Sequence, residues 1–454
     1  MFIIKKLSKI SELNKKLLHN PPLYLVLGFL VVIFTGAILL ALPLAAANGK
    51  ATPLLDSLFV STSAVCVTGL TTVVTATHWN LFGQFILISL IQIGGLGVMT
   101  ISTLAALVLG KRITLSSRLV IREQVGTHGY SGMVKLIRYV LISTAIIESI
   151  GAFLLSFTFI PQYGFLKGIW FSIFHSISAF CNAGFDLIGE ESLMTLRNMP
   201  QVMIPIALLI IIGGIGFNVY MDITKNKLNF NQYSLHAKVV LTTTLILLLS
   251  FTTIFLVLEF NNDLTIGMLS LRDKVINSFF QSVTLRTAGF SAISQTGMYN
   301  SSAISSMVAM IVGAAPASTG GGVKVTTIAL IFMVLISEIR GDDDIIIFNR
   351  AIRFSQVKKA ISAFIIYMLW ILIVGNIITY IEPFKTVDVF YEVVSAAGTV
   401  GISRGITAIL SPISKILIII TMYFGRVGIL TIIFATRERK QKKYKEAYGN
   451  IILG

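Results

Sequence analysis

The chain has 454 residues, 55% apolar and 12% charged, with a mean hydropathy of +0.86. Soluble domains carry about 25% charged residues, so this composition excludes a soluble globular protein and predicts a polytopic membrane protein. The formal net charge of +16 would suit nucleic acid, but the placement of the basic residues assigns it to a face resting on anionic lipid.

In chain order, Met1 to Asn20 is basic and carries no cleavable signal pattern, and the apolar run that follows is long enough to span a bilayer. Unit one reads as a helix over Pro22–Leu42, a short semi-apolar helix over Thr52–Val65 and a long helix over Leu81–Leu109. In unit two the helices are Leu136–Phe159, closed by Pro161, then Phe165–Phe180 and Val202–Met221. Unit three starts with a span from Leu235 to Leu258 and a half-helix over Asp273–Thr284. Its last helix is broken: apolar Ser305 to Ala315, then Pro316 to Lys324, then an apolar run to Ile336. Unit four has helices over Ile361–Ile381, Val387–Ala397 and Ile413–Ala435. The expected division is a cytosolic N-terminus (1–21), four repeats (22–111, 132–222, 235–339, 355–436) and a cytosolic tail (437–454). The fold class is therefore an all-α membrane protein. Four helix, pore loop, helix repeats give eight transmembrane helices and four re-entrant pore helices in pseudo-fourfold arrangement around one pore.

Charge gives an independent topology. With the N-terminus inside, 25 Lys and Arg fall in the inside segments (1–21, 111–138, 223–238, 339–360, 437–445) and 8 in the outside ones. Arg286, Lys324 and Arg426 are left at membrane depth. This positive-inside bias predicts a multi-pass cell-membrane protein with both termini cytosolic.

A short motif recurs in each unit after its half-helix: Ser63 to Leu70, Ser178 to Phe185, Gln281 to Phe290 and Ser395 to Ile402. Its glycines stand at 69, 184, 289 and 401, at steps of 115, 105 and 112 residues. Non-helical backbone at membrane depth must line a water or ion path, and rings of carbonyls can replace the hydration shell of potassium. The predicted filter strands are Val67-Thr68-Gly69, Asn182-Ala183-Gly184, Thr287-Ala288-Gly289 and Thr399-Val400-Gly401. Their side chains differ while the glycine stays, which suits coordination by backbone. Each half-helix also points its partly negative C-terminal end at the path.

Gly94-Gly95-Leu96-Gly97, Gly213-Gly214-Ile215-Gly216 and Gly425-Arg426-Val427-Gly428 form a second recurrence, with Gly313-Ala314-Ala315 in unit three; small residues here predict close helix packing. Arg426 breaks that pattern roughly 16 Å into the membrane, from 1.5 Å of rise per residue. It is expected to line the pore below the filter as a barrier to cations, with a structural pairing to a carbonyl or to Glu148 as the alternative. The stretch Ala317, Ser318, Thr319, Gly320, Gly321, Gly322, Val323, Lys324 is expected to be a mobile gate below the filter, with a static kink as the alternative. Arg286 is expected to anchor its pore loop by hydrogen bonds. Cys66 and Cys181 read as small buried fillers. With no nucleophile, acid–base or metal-ligand constellation, no enzymatic activity is expected, and potassium enters only as the transported ion at the filter residues.

On these residues the chain resembles the potassium-translocating membrane subunits of the Ktr/Trk/HKT superfamily, bacterial Ktr-type subunits in particular. The resemblance rests on the four filter motifs, the broken third-unit helix and Gly425-Arg426-Val427-Gly428, and covers residues 20–436. It implies a homodimer and a separate cytosolic nucleotide-binding ring that controls the intramembrane gate. It also implies potassium preference, because the first filter loop carries Gly69 and not Ser. Sodium dependence, and channel against symport, stay open. The potassium-binding subunit of an ATP-driven pump, and a membrane scaffold with vestigial loops, are the other readings.

Overall fold

The structure is a computed structural model that describes residues 21–97, 133–227 and 229–436. The basic N-terminal stretch, residues 98–132 and the tail 437–454 lie outside the described residues, and with them the expected continuation of the third helix to Leu109.

Unit one holds α1 (Pro21–Ala41), α2 (Leu54–Val65) and α3 (Leu81–Leu96). Unit two holds α4 (Met133–Tyr163), α5 (Phe165–Phe180), α6 (Pro200–Gly214) and α7 (Phe217–Asn226). Unit three holds α8 (Leu235–Glu259), α9 (Leu271–Thr284), α10 (Asn300–Ile311) and α11 (Val325–Arg340). Unit four holds α12 (Phe354–Ile381), α13 (Thr386–Gly398), α14 (Pro412–Val427) and α15 (Ile429–Thr436). A two-stranded hairpin, β1 (Ile346–Ile347) and β2 (Arg350–Ala351), joins the last two units. The opening helices α1, α4, α8 and α12 are long and apolar enough to cross a membrane. They leave large apolar side chains such as Val31, Phe157, Val257 and Leu369 exposed, as a surface solvated by lipid requires.

The short helices α2, α5, α9 and α13 are the inner layer. Their C-terminal halves are buried, including the hydroxyls of Ser61, Thr62, Ser176 and Ser282. Acidic residues occupy the first turn of three of them, Asp56, Asp273 and Asp388, where the helix dipole favours negative charge. Asp56 is paired with Lys415 at 2.9 Å and Asp388 with Arg404 at 2.6 Å.

The units close into a ring. In every unit the helix after the filter packs on the pore helix of the next: α3 on α5, α6 on α9, α10 on α13, and α14 back on α2. This is the pseudo-fourfold arrangement of the repeats.

Two expectations need correction. Pro161 does not close α4; the helix runs through it to Tyr163. The reason is local packing: Gly168 on α5 lies so close that an added methyl would sit 2.5 Å from the Ile160 Cα. The second correction concerns the closing helices, of which only the third was expected to break. Unit two's expected Val202–Met221 helix is instead α6 and α7, bent by 95°. Unit four's expected Ile413–Ala435 helix splits at Gly428, and α3 stops before Gly97. Gly97, Gly216 and Gly428 share one backbone state, with φ of 87°, 89° and 86°. That region is open to glycine and closed to continuing helix. The last glycine of each recurrence is therefore a helix break. The first one provides the close approach: a methyl at Gly94, Gly213 or Gly425 would fall 2.0, 1.9 or 2.1 Å from the carbonyl oxygen of Val65, Phe180 or Ala397.

Candidate functional site

Each pore helix ends in a residue held in the left-handed region: Val67 (φ 56°), Asn182 (φ 58°), Thr287 (φ 65°) and Thr399 (φ 51°). In units one, two and four the turn has the Schellman form. Thr68 N donates to Ser63 O, Ala183 N to Ser178 O and Val400 N to Ser395 O, each at 2.8 Å. Unit three carries one more residue, and Ala288 N donates to Thr284 O at 3.0 Å. Two residues beyond the left-handed position the chain reaches the motif glycine, again at positive φ (99°, 69°, 84° and 94° for Gly69, Gly184, Gly289 and Gly401). The chain thus reverses twice in three residues, and the extended strand between turns its carbonyls inward.

The four glycines meet. A methyl on Gly69 would lie 2.6 Å from Ala183 O, on Gly184 2.7 Å from Ala288 O, on Gly289 2.6 Å from Val400 O, and on Gly401 2.0 Å from Thr68 O. The order 69, 184, 289, 401 and back to 69 is the ring that the helix contacts already described. The carbonyls of the residues just before the glycines therefore converge on one axis, and there is no room for a side chain among them. All twelve expected filter residues come together here, and the eight that are not glycine are buried, at 0% exposure.

On one side the ring opens into a cavity of ≈ 170 Å³ lined by all four glycines, Asp186 and Glu190, with no Lys or Arg in its wall. On the other side lies the non-helical stretch of unit three. It begins at Val312, earlier than expected, since α10 ends at Ile311. Gly320 faces the Thr287 side chain, where a methyl would come within 2.2 Å of Oγ1, and Gly321 faces the Thr399 side chain at 2.3 Å. The stretch is thus seated directly beneath the ring of loops.

Hydrogen bonds seat it on the open carbonyls of neighbouring helix ends, groups with no partner within their own helices. Ala315 N donates to Gly214 O (2.9 Å), Thr319 N to Gly213 O (3.3 Å) and Gly322 N to Gly425 O (3.2 Å). Thr319 Oγ1 donates to Phe180 O (3.0 Å). In return, the first N–H of α7, on Phe217, donates to Ala317 O at 2.9 Å. Lys324 Nζ folds back onto Gly320 O at 2.9 Å. Arg426 spans the gap: its guanidinium donates to Thr319 O of the plug and to Gly94 O and Gly95 O, the last at 3.1 Å. Those last two acceptors cap the C-terminal end of α3, where a cation is favoured. The side chain is therefore paired with backbone carbonyls of the unit-three stretch and of α3.

With this geometry established, comparison with known proteins places the chain. The profile of the TrkH family, described as cation transport protein, matches residues 2–447. The chain belongs to this family of cation transport proteins. It is 40% identical over 461 residues to the potassium/sodium uptake protein NtpJ of Enterococcus hirae, covering all of both chains. It is 38% identical over 438 residues to the Ktr system potassium uptake protein B of Bacillus subtilis, covering 96% of this chain and 97% of that one. The fold resembles the crystal structure of the potassium transporter TrkH from Vibrio parahaemolyticus, with a TM-score of 0.73, 17% identity, and coverage of 91% of this chain and 83% of that chain. The family is one of transporters and not of enzymes.

The TrkH-type site also depends on residues that reading the sequence passed over. A hydroxyl near the end of each pore helix fastens its loop. Ser63 and Ser395 accept from Gly69 N and Gly401 N at 3.0 and 3.1 Å. Ser178 and Thr284 donate to Phe185 O and Phe290 O, both at 2.7 Å. The signal was present as the serine that opens three of the motifs and as Thr284 inside the third. His175 on α5 holds the second loop: its Nε2 accepts from Leu187 N at 3.3 Å while Nδ1 meets Phe171 O at 2.7 Å. Gln295 joins units three and four, accepting from Tyr391 Oη at 2.9 Å through its side chain and from Arg404 at 2.8 Å through its carbonyl. Arg286 donates to Thr244 Oγ1 on α8 at 3.3 Å, with no carboxylate at ion-pair distance among the described residues. Cys66 and Cys181 are buried free thiols.

Proposed function

We propose that this chain carries potassium into the cell along the axis of the four filter loops, driven by membrane potential. The carrying observation is the closed ring of glycines, each set against the carbonyl oxygen of Thr68, Ala183, Ala288 or Val400 of a neighbouring loop. Four oxygen dipoles at a water-poor constriction favour a dehydrated cation. The C-terminal ends of four pore helices add to that preference, and the acidic cavity on the open side supplies cations to it. The names of the relatives, potassium uptake and potassium/sodium uptake proteins, fit the same reading.

The potassium sites are the filter residues Val67 to Gly69, Asn182 to Gly184, Thr287 to Gly289 and Thr399 to Gly401. Ala317 to Lys324 is the gate, and Arg426 the fixed charge that holds it shut and raises the barrier to cations. A conducting state requires the plug to leave the carbonyls of Gly213, Gly214, Phe180 and Gly425. That release is assigned to a separate cytosolic nucleotide-binding ring acting on a homodimer of this chain, with the open side of the filter outside the cell and both termini inside.

The test is rubidium or potassium uptake in cells lacking their own potassium systems, with potential collapsed or ATP depleted in separate arms. Uptake that follows potential and not ATP is expected; uptake that needs an added ATPase subunit overturns the proposal. Repeating the assay with and without external sodium decides the coupling.

A further inference from the structure

We propose that the groove between units one and two, on the filter side of the molecule, binds an anionic phospholipid. The phosphate sits at Lys167 and one acyl chain lies along Trp170, Phe82 and Phe85. Two adjoining pockets of ≈ 700 and ≈ 580 Å³ share Leu81 and Trp170, each within the size range of small-molecule sites, about 300–1,000 Å³. Their chemistry is graded. The larger one has a polar rim of Lys167, Thr77 and Gln84. The smaller one is walled by Leu81, Phe82, Phe85 and Trp170, with Asn80 at its edge. A polar end leading into an apolar trough is the shape of an amphiphile.

The site is built before any lipid arrives. Trp170 Nε1 donates to Gln84 Oε1 at 2.8 Å, and Gln84 Nε2 donates to Trp79 O at 3.0 Å, so the indole wall is fixed. Lys167 Nζ stands 5.5 Å from the centre of the Tyr163 ring and 5.2 Å from that of Phe171. Among the described residues no carboxylate lies within ion-pair distance of it. An ammonium held over aromatic faces, with no anion of its own, complements a phosphate. Trp and Lys are also the side chains that anchor at headgroup level.

A second copy of this chain fits the groove less well. Helices meet in membranes through small residues, whereas this wall is aromatic. No glycine lines either pocket, and the neighbouring Gly83 faces inward, where a methyl would lie 2.4 Å from Ala45 O. An acyl chain gains nothing hydrophobic by leaving the bilayer for the groove, so the headgroup charge decides which lipid stays.

The experiment is native mass spectrometry of the full chain titrated with phosphatidylglycerol or phosphatidylcholine. One basic residue near an anionic headgroup predicts about fivefold stronger retention of phosphatidylglycerol. Lys167→Gln brings the ratio to about one, Lys167→Arg keeps it, and Lys50→Gln on the same side leaves it unchanged; size-exclusion elution confirms that each variant is folded. An equal ratio in the wild type, or a preference that survives Lys167→Gln, overturns the proposal. So does efficient cross-linking between copies through Phe82→Cys, which would give the groove to a second chain.

Discussion

Val67, Thr287 and Thr399 occupy backbone conformations that β-branched residues avoid. Each costs roughly 1–2 kcal/mol relative to its usual state, and glycine would remove that cost. At two of these positions the branched side chain is packed from below, Thr287 against Gly320 and Thr399 against Gly321. The neighbouring glycines obey the opposite rule. In Gly184→Ser the new Cβ would meet the Gly289 Cα at 2.6 Å, so two loops must separate. The expected result is a potassium-over-sodium preference lowered about tenfold, which needs only about 1.4 kcal/mol, measured as competing rubidium and sodium uptake. Unchanged selectivity would remove Gly184 from the filter. Ser395→Ala leaves the N–H of Gly401 without its acceptor. An unpaired buried group costs about 1–3 kcal/mol, so a lower thermal midpoint is expected with the fold retained, and Ser395→Thr should restore it.

Among the elements, the non-helical stretch of unit three meets the break at Gly216 directly. Gly216 begins the turn that delivers Phe217 N to Ala317 O, and a methyl there would lie 2.7 Å from Pro316 O. Gly216→Ala should therefore displace the plug and raise basal rubidium flux without changing selectivity. Deleting Gly320–Gly322 should do the same more strongly; if both flux and selectivity stay unchanged, the plug is not a gate. Arg426→Gln loses charge but can keep one hydrogen bond, and Arg426→Ala loses both. Flux that rises in Gln and again in Ala would separate the barrier from the latch. Pore helices and filter loops were legible in the sequence because each ends on a glycine after an apolar run, and Phe165–Phe180 was read to the residue. The breaks at Gly97, Gly216 and Gly428 were not legible. Glycine-rich apolar stretches also serve helix packing, and at Gly216 the stretch that settles the break comes from another unit. The same holds for the partners of Arg426: the charge at depth was visible, while Thr319, Gly94 and Gly95 come together only through the fold.

At the scale of the molecule, the ring must close between the last unit and the first, and α14 against α2 makes that seam. The Lys415–Asp56 pair crosses it at 2.9 Å, but a partly exposed pair contributes only about 0–1 kcal/mol. Lys415→Ala should consequently leave uptake and thermal stability nearly unchanged, because Gly69 and Gly401 already interlock at the axis. A large loss would mean the seam is electrostatic and not steric.

Linking four quarters in one polypeptide also changes how the filter tolerates alteration. In an assembly of four identical chains a single substitution enters the pore four times, so a local penalty of about 1.4 kcal/mol compounds from tenfold toward ten-thousandfold. Here it enters once, and three unaltered quarters remain. Each quarter is free to drift by itself: one carries the non-helical stretch, another the arginine bonded to it, and two keep a thiol where the third has Arg286. If the proposed filter is right, single substitutions are expected to give variants of intermediate selectivity.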